Sequence, residues 1–107
     1  MGDVFLAWDL IGGRQVALKT RRGGSAERFV CEAQLTARLD HPGIVRILDA
    51  GTDAASGLAF YAAELVDGAR DLREAFAPLT IYERAELVRD AAEAVGHAHA
   101  HGVVHRD

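Results

Sequence analysis

Residues 2–9, GDVFLAWD, and 14–20, RQVALKT, are short runs of β-branched, aromatic and other apolar residues broken by polar ones, a texture that favours strands. Between them Leu10-Ile11-Gly12-Gly13 ends in a Gly-Gly pair, which supplies the positive φ a tight reversal needs. The pattern predicts an antiparallel hairpin. Residues 21–24, Arg-Arg-Gly-Gly, interrupt it, and Ser25 stands where a helix cap is expected, for a helix over 26–39. Phe29, Ala33, Thr36 and Ala37 share one face of that helix, with Glu32 beside them. His41-Pro42-Gly43 ends it.

Two further strand-like runs follow at 44–50 and 58–66, joined by the polar stretch 51–57. A short helix over 71–77 stops at Pro78. Thr80-Ile81-Tyr82-Glu83 has the form of a capping box, in which Thr80 caps and Glu83 reaches back. The helix it opens carries Ile81, Ala85, Val88, Ala91, Ala92, Val95 and Ala98 on one stripe and ends at Gly102. The order strand, strand, helix, strand, strand, helix, helix predicts an α+β fold. An antiparallel sheet carries one packed helix and is followed by the first helices of a second unit. No internal repeat or low-complexity linker divides the chain.

Composition narrows the reading. A chain of 107 residues holds little more than one small domain. Half its residues are hydrophobic and 26% are charged, which is globular rather than disordered composition. A net charge of −4 disfavours nucleic acid or an anionic membrane as the main partner. One cysteine, Cys31, excludes an internal disulfide framework and suits a reducing, cytoplasmic setting. Nothing resembles a membrane span or a signal peptide. The cations are uneven: of twelve, eleven are arginines and one is a lysine, Lys19. Arginine is a planar fork, whereas lysine is a compact point charge on a thin stem, so retention of lysine at one strand position draws attention to that position.

Around Lys19 the residues resemble a known family. Val16-Ala17-Leu18-Lys19, a glutamate thirteen positions later at Glu32, His41-Pro42-Gly43-Ile44-Val45 and the final His105-Arg106-Asp107 are similar to the protein kinases, especially bacterial serine/threonine kinases. Each piece alone is short, but together they keep the family's order across nearly the whole chain. The resemblance implies a kinase N-lobe and hinge over 1–66 and the start of the C-lobe over 67–107. It implies ATP-dependent phosphorylation of serine or threonine hydroxyls on protein substrates, with ATP and Mg²⁺ as cofactors. Lys19 would touch the α- and β-phosphates, Glu32 would hold Lys19 in place, and Asp107 would be the catalytic base. Gly2 and Val4 resemble the end of the glycine-rich loop, and Ala17 the small residue against adenine. Residues 61–68, YAAELVDG, resemble the hinge, with backbone groups of Glu64 and Val66 holding adenine and Ala63 as a small gatekeeper.

The resemblance also carries departures. The first two glycines of the loop are absent from this sequence, and the asparagine after HRD and the DFG aspartate that hold Mg²⁺ are expected beyond Asp107, so no metal ligand is assigned here. Thr36 stands where the family stacks an apolar side chain, and its hydroxyl is expected either to loosen the helix or to bond back to the Glu32 carbonyl. Two other functions stay open. A regulatory, non-catalytic pseudokinase would share these residues but lack the downstream aspartate. A metal-binding domain would use His97, His99, His101 and His105, of which His97 and His101 lie one helical turn apart. No Cys, Asp or Glu stands at ligand spacing to complete such a site.

Overall fold

The computed structural model describes residues 3–104. Its elements run in the order β1 (Asp3–Asp9), β2 (Arg14–Arg21), α1 (Ala26–Thr36), β3 (Ile47–Thr52), β4 (Ala59–Glu64), α2 (Leu72–Phe76) and α3 (Ile81–Ala100). The four strands form one antiparallel sheet ordered β1-β2-β4-β3. The α+β expectation holds: a four-stranded antiparallel sheet carries one packed helix and is followed by two further helices.

The β1–β2 reversal is built by Asp9 and Gly13. The Asp9 carboxylate accepts from the backbone N–H groups of Ile11 and Gly12, each at 3.1 Å, and Gly13 closes the loop at φ +65°. That backbone conformation strains any residue with a Cβ. Direct cross-strand partners share a face of the sheet, so the register sorts the side chains. Val4 faces Lys19, Leu6 faces Ala17, Lys19 faces Tyr61 and Ala17 faces Ala63, which places all of these on one face. Helix α1 packs on that face over β3 and β4, fastened where Phe29 stacks on Tyr61 with ring centroids 5.4 Å apart.

Several boundaries differ from the sequence expectation, each for a local reason. Ser25 occupies the cap position of α1 but makes no side-chain cap bond. Its ψ is 64°, whereas the working caps Asp71 and Thr80 sit at 168° and 167°, the extended geometry that aims an oxygen at the first turn. Helix α1 stops at Thr36 rather than 39. Arg38 and Leu39 donate to the carbonyls of Leu35 and Thr36, and these i→i−3 bonds tighten the exit. The tightening buries Leu39 and leaves Ala37 exposed, so Ala37 does not join the packed face. Strand β3 begins at Ile47 rather than 44, because the Ile44 N–H donates to the His41 carbonyl in a turn. A register shift between Ile47 and Asp49 follows at once.

The capping box of α3 is present as expected. The Glu83 N–H donates to the Thr80 hydroxyl at 3.2 Å, and the Thr80 N–H donates to the Glu83 carboxylate at 3.0 Å. The Thr80 N–H, and after it the Thr80 hydroxyl, hydrogen-bond the Glu83 carboxylate and hold it below its ordinary range. Arg84 ties α2 to α3, donating to the Phe76 carbonyl at 3.0 Å while its guanidinium lies over the Phe76 ring. The turn at residues 41–44 touches α3 closely, since a Cβ on Gly43 would stand 3.0 Å from that of Ala94.

The core is thin and built from small residues: Val16, Ala33, Leu39, Ala59, Ala63, Ala94 and Ala98. The accessible surface is 8070 Å², against about 5,800 Å² for a compact monomer of this mass. The radius of gyration is 15.5 Å, against about 13 Å for a compact domain of this length. The excess is apolar in part, because Ile81, Val88 and Val95 on the α3 stripe stay exposed. No helix among the described residues is long and apolar enough to cross a membrane.

Candidate functional site

Strand β2 alternates its side chains, and that alternation builds the site. Val16, Leu18 and Thr20 point to one side, and Ala17, Lys19 and Arg21 to the other. On the second side lies a cavity of about 290 Å³ whose walls include Lys19, Arg21, Phe29, Glu32 and Tyr61. The lone lysine and the helix glutamate thirteen residues away in sequence thus face one space. Val4 stands directly across from Lys19 on β1, and Ala17 lies one pleat along, between Leu6 and Ala63.

Lys19 and Glu32 do not touch. Glu32 instead accepts from Arg28 Nε at 3.2 Å, one helical turn away, and among the described residues no carboxylate lies within 4.0 Å of the Lys19 ammonium. Arg28 was invisible to the motif-based reading, although its i,i+4 spacing to Glu32 is the standard signal for a helical ion pair. The Thr36 hydroxyl takes the second of its two expected roles and donates to the Glu32 carbonyl at 2.9 Å.

Glu64 is the last residue of β4. Its N–H donates to the Arg46 carbonyl at 3.0 Å, and its carboxylate accepts from the Arg46 N–H at 3.1 Å. The chain then leaves the sheet, and Val66 is exposed in the segment before the Gly68 turn. Gly2 and Asp107, with His105 and Arg106, lie outside the described residues.

A second, larger cleft of about 980 Å³ opens between α1, the 43–47 segment and α3. Arg28, Glu32, Leu35, Ala63, Val95 and Val104 are among its walls. Glu32 lines both spaces. On α3, His97 packs between two other imidazoles, His41 at 5.0 Å and His101 at 4.4 Å between ring centroids. His41 Nδ1 accepts from the Gly43 N–H at 2.9 Å, and His101 Nδ1 lies 2.8 Å from the His97 carbonyl. His99 is exposed and apart from this stack. Among the described residues no group of three or more His, Cys, Asp or Glu side chains is arranged to hold a metal ion.

The comparisons follow the same line as the geometry. The chain is 38% identical over its whole length to the serine/threonine-protein kinase PknB of Mycobacterium tuberculosis, matching 19% of that protein. It is 36% identical, again over its whole length, to the serine/threonine-protein kinase PrkC of Bacillus subtilis, matching 17% of it. The DNA damage-responsive serine/threonine-protein kinase RqkA of Deinococcus radiodurans is 37% identical over 98% of the chain. Over its whole length the chain is thus similar to bacterial serine/threonine protein kinases. It corresponds to the N-terminal part of the kinase domain and spans less than a fifth of the length of these relatives. No family model matches it.

Proposed function

We propose that this chain is the nucleotide-binding part of a bacterial kinase that transfers the γ-phosphoryl group of ATP to serine or threonine hydroxyls of proteins. Residues 1–66 would make the N-lobe and hinge, residues 67–107 the start of the C-lobe, and the reaction would take place in the cytoplasm. The observation that carries the reading is the shared face of Val4, Ala17 and Lys19, with Glu32 on the same cavity. A flat apolar surface beside a single point cation suits a purine with a phosphate chain.

Each residue has a distinct part. Val4 and Ala17 are small enough for a planar base to lie against the sheet, and backbone groups of Glu64 and Val66 would hold its edge. Lys19 meets phosphate oxygens as a point charge on a slender stem. Glu32 orients that stem when the two side chains pair. Asp107 would accept the proton of the attacking hydroxyl, and Gly2 would let the backbone approach the phosphates. Phosphoryl transfer depends mainly on positioning and on charge stabilisation, both of which these groups would supply. Mg²⁺, which kinases use with ATP, has no suitable group of ligands among the described residues.

Lys19→Arg tests the reading in a kinase domain containing this chain. The charge survives but the fork does not fit a point contact, so phosphoryl transfer falls by at least tenfold in a radiolabelled-phosphate assay. Near-normal turnover would remove Lys19 from the site.

A further inference from the structure

Glu32 stands at the wall between two spaces. It lines the cavity that holds Lys19 and also the larger cleft that holds Arg28, while Lys19 lines only the first of these and Arg28 only the second. The carboxylate is committed to the cleft side, with Arg28 Nε 3.2 Å from Glu32 Oε1. We propose that Arg28 is a positioning residue: it competes with Lys19 for Glu32, and releasing Arg28 hands the carboxylate to the lysine.

Three observations support the competition. Both partners of the present pair are more than half exposed, at 55% and 56% of their side chains, and such pairs are weak enough to exchange. The helix need not unfold for the exchange, because the Phe29–Tyr61 stack and the Thr36 bond to the Glu32 carbonyl fix the backbone on either side. Lys19 meanwhile has no carboxylate within 4.0 Å among the described residues, although Glu32 lines the same cavity. The proposed exchange is a rotation of the Glu32 side chain from the cleft towards the cavity that it shares with Lys19. The meaning of the switch for nucleotide binding rests on the function proposed above, but the pairing itself does not.

The chain offers an unusually clean test, because Lys19 is its one lysine. An ammonium held by a carboxylate surrenders its proton less readily and acylates more slowly. The 107-residue chain is treated in dilute solution, without nucleotide, with an amine-acetylating ester at neutral pH. Peptide mass spectrometry then separates Lys19 from the terminal amine. Arg28→Ala keeps a strong helix former at the position and slows acetylation of Lys19 by about two- to fivefold, the range of an exposed ion pair. Arg28→Lys labels at the wild-type rate. Adding Glu32→Gln to Arg28→Ala restores the wild-type rate, which a merely structural role for Arg28 would not produce. Unchanged labelling in Arg28→Ala, or slowing that persists in the double variant, overturns the proposal. Because no nucleotide is present, failure here is separate from failure of the Lys19→Arg transfer assay.

Discussion

Ala17 on β2 lies directly opposite Ala63 on β4, so two methyl groups meet where the strands beneath the proposed purine surface run side by side. Ala63 also borders the large cleft between α1 and α3. With side chains this small, nothing bulky separates the nucleotide face from that cleft. An ATP analogue carrying a bulky apolar group on the purine amine is therefore accepted, with its substituent in the cleft. Ala63→Met closes the passage and removes use of the analogue while ATP use persists. Equal loss of both nucleotides, measured as paired kcat/KM values, counts against this placement of Ala63.

The cap of α3 gives a stability prediction. Thr80→Ala removes the hydroxyl that accepts from Glu83 N–H and destabilises the helix by about 1 kcal/mol, read as a lower urea midpoint. An unchanged midpoint means that α3 does not depend on its capping box.

The same box makes α3 acid-sensitive. Hydrogen bonds from Thr80 hold the Glu83 carboxyl below its ordinary value of 4.5. A depressed carboxylate adds stability that is complete above its unfolded value and is lost as pH falls through its native one. Helicity of α3 therefore declines on acidification below about pH 4.5, and Glu83→Gln flattens that decline in circular dichroism. An acid profile identical in Glu83→Gln removes Glu83 as the cause.

Thr36 spends its hydroxyl on the Glu32 carbonyl, inside a half-buried wall common to both cavities. Thr36→Leu replaces this back-bond, which favours helix bending, with added apolar contact. The last turn of α1 gains roughly 1 kcal/mol, about what burying one methylene gives. A lower thermal midpoint instead would show that the hydroxyl bond holds the turn.

The elements were legible where periodicity and turn chemistry agreed. The β1–β2 hairpin followed from its glycines, and α3 followed from Thr80, Glu83 and a long apolar stripe. Which residues that stripe buries was not legible. The structure buries Ala94 and Ala98 and leaves Ile81, Val88 and Val95 exposed, because a stripe states what a helix can cover, not what lies against it. The resemblance singled out Lys19, Ala17 and Val4 one by one, but only the register placed them on one face. The Lys19–Glu32 pairing was read from motif spacing alone, and spacing cannot weigh a nearer competitor such as Arg28.

The 107 residues by themselves make a further prediction. The exposed α3 stripe invites association, and the described residues have no metal-holding group to balance nucleotide charge. The purified chain, incubated with Mg-ATP and a generic protein substrate, transfers no phosphate above background and tends to self-associate in light scattering. Sustained turnover by a monodisperse sample contradicts both statements.

The contact between Gly43 and Ala94 works as a lever. A helix rises about 1.5 Å per residue, so Ala94 lies about 4.5 Å from His97, which packs on His41, while Ile81 lies about 24 Å from it. With that contact as fulcrum, a push at Ala94 is magnified about fivefold at the far end of α3. A methyl group on Gly43 would stand 3.0 Å from that of Ala94, tighter than ordinary contact, and would supply such a push. A single hydrogen atom in place of a side chain thus sets how far the distant tip of the helix swings.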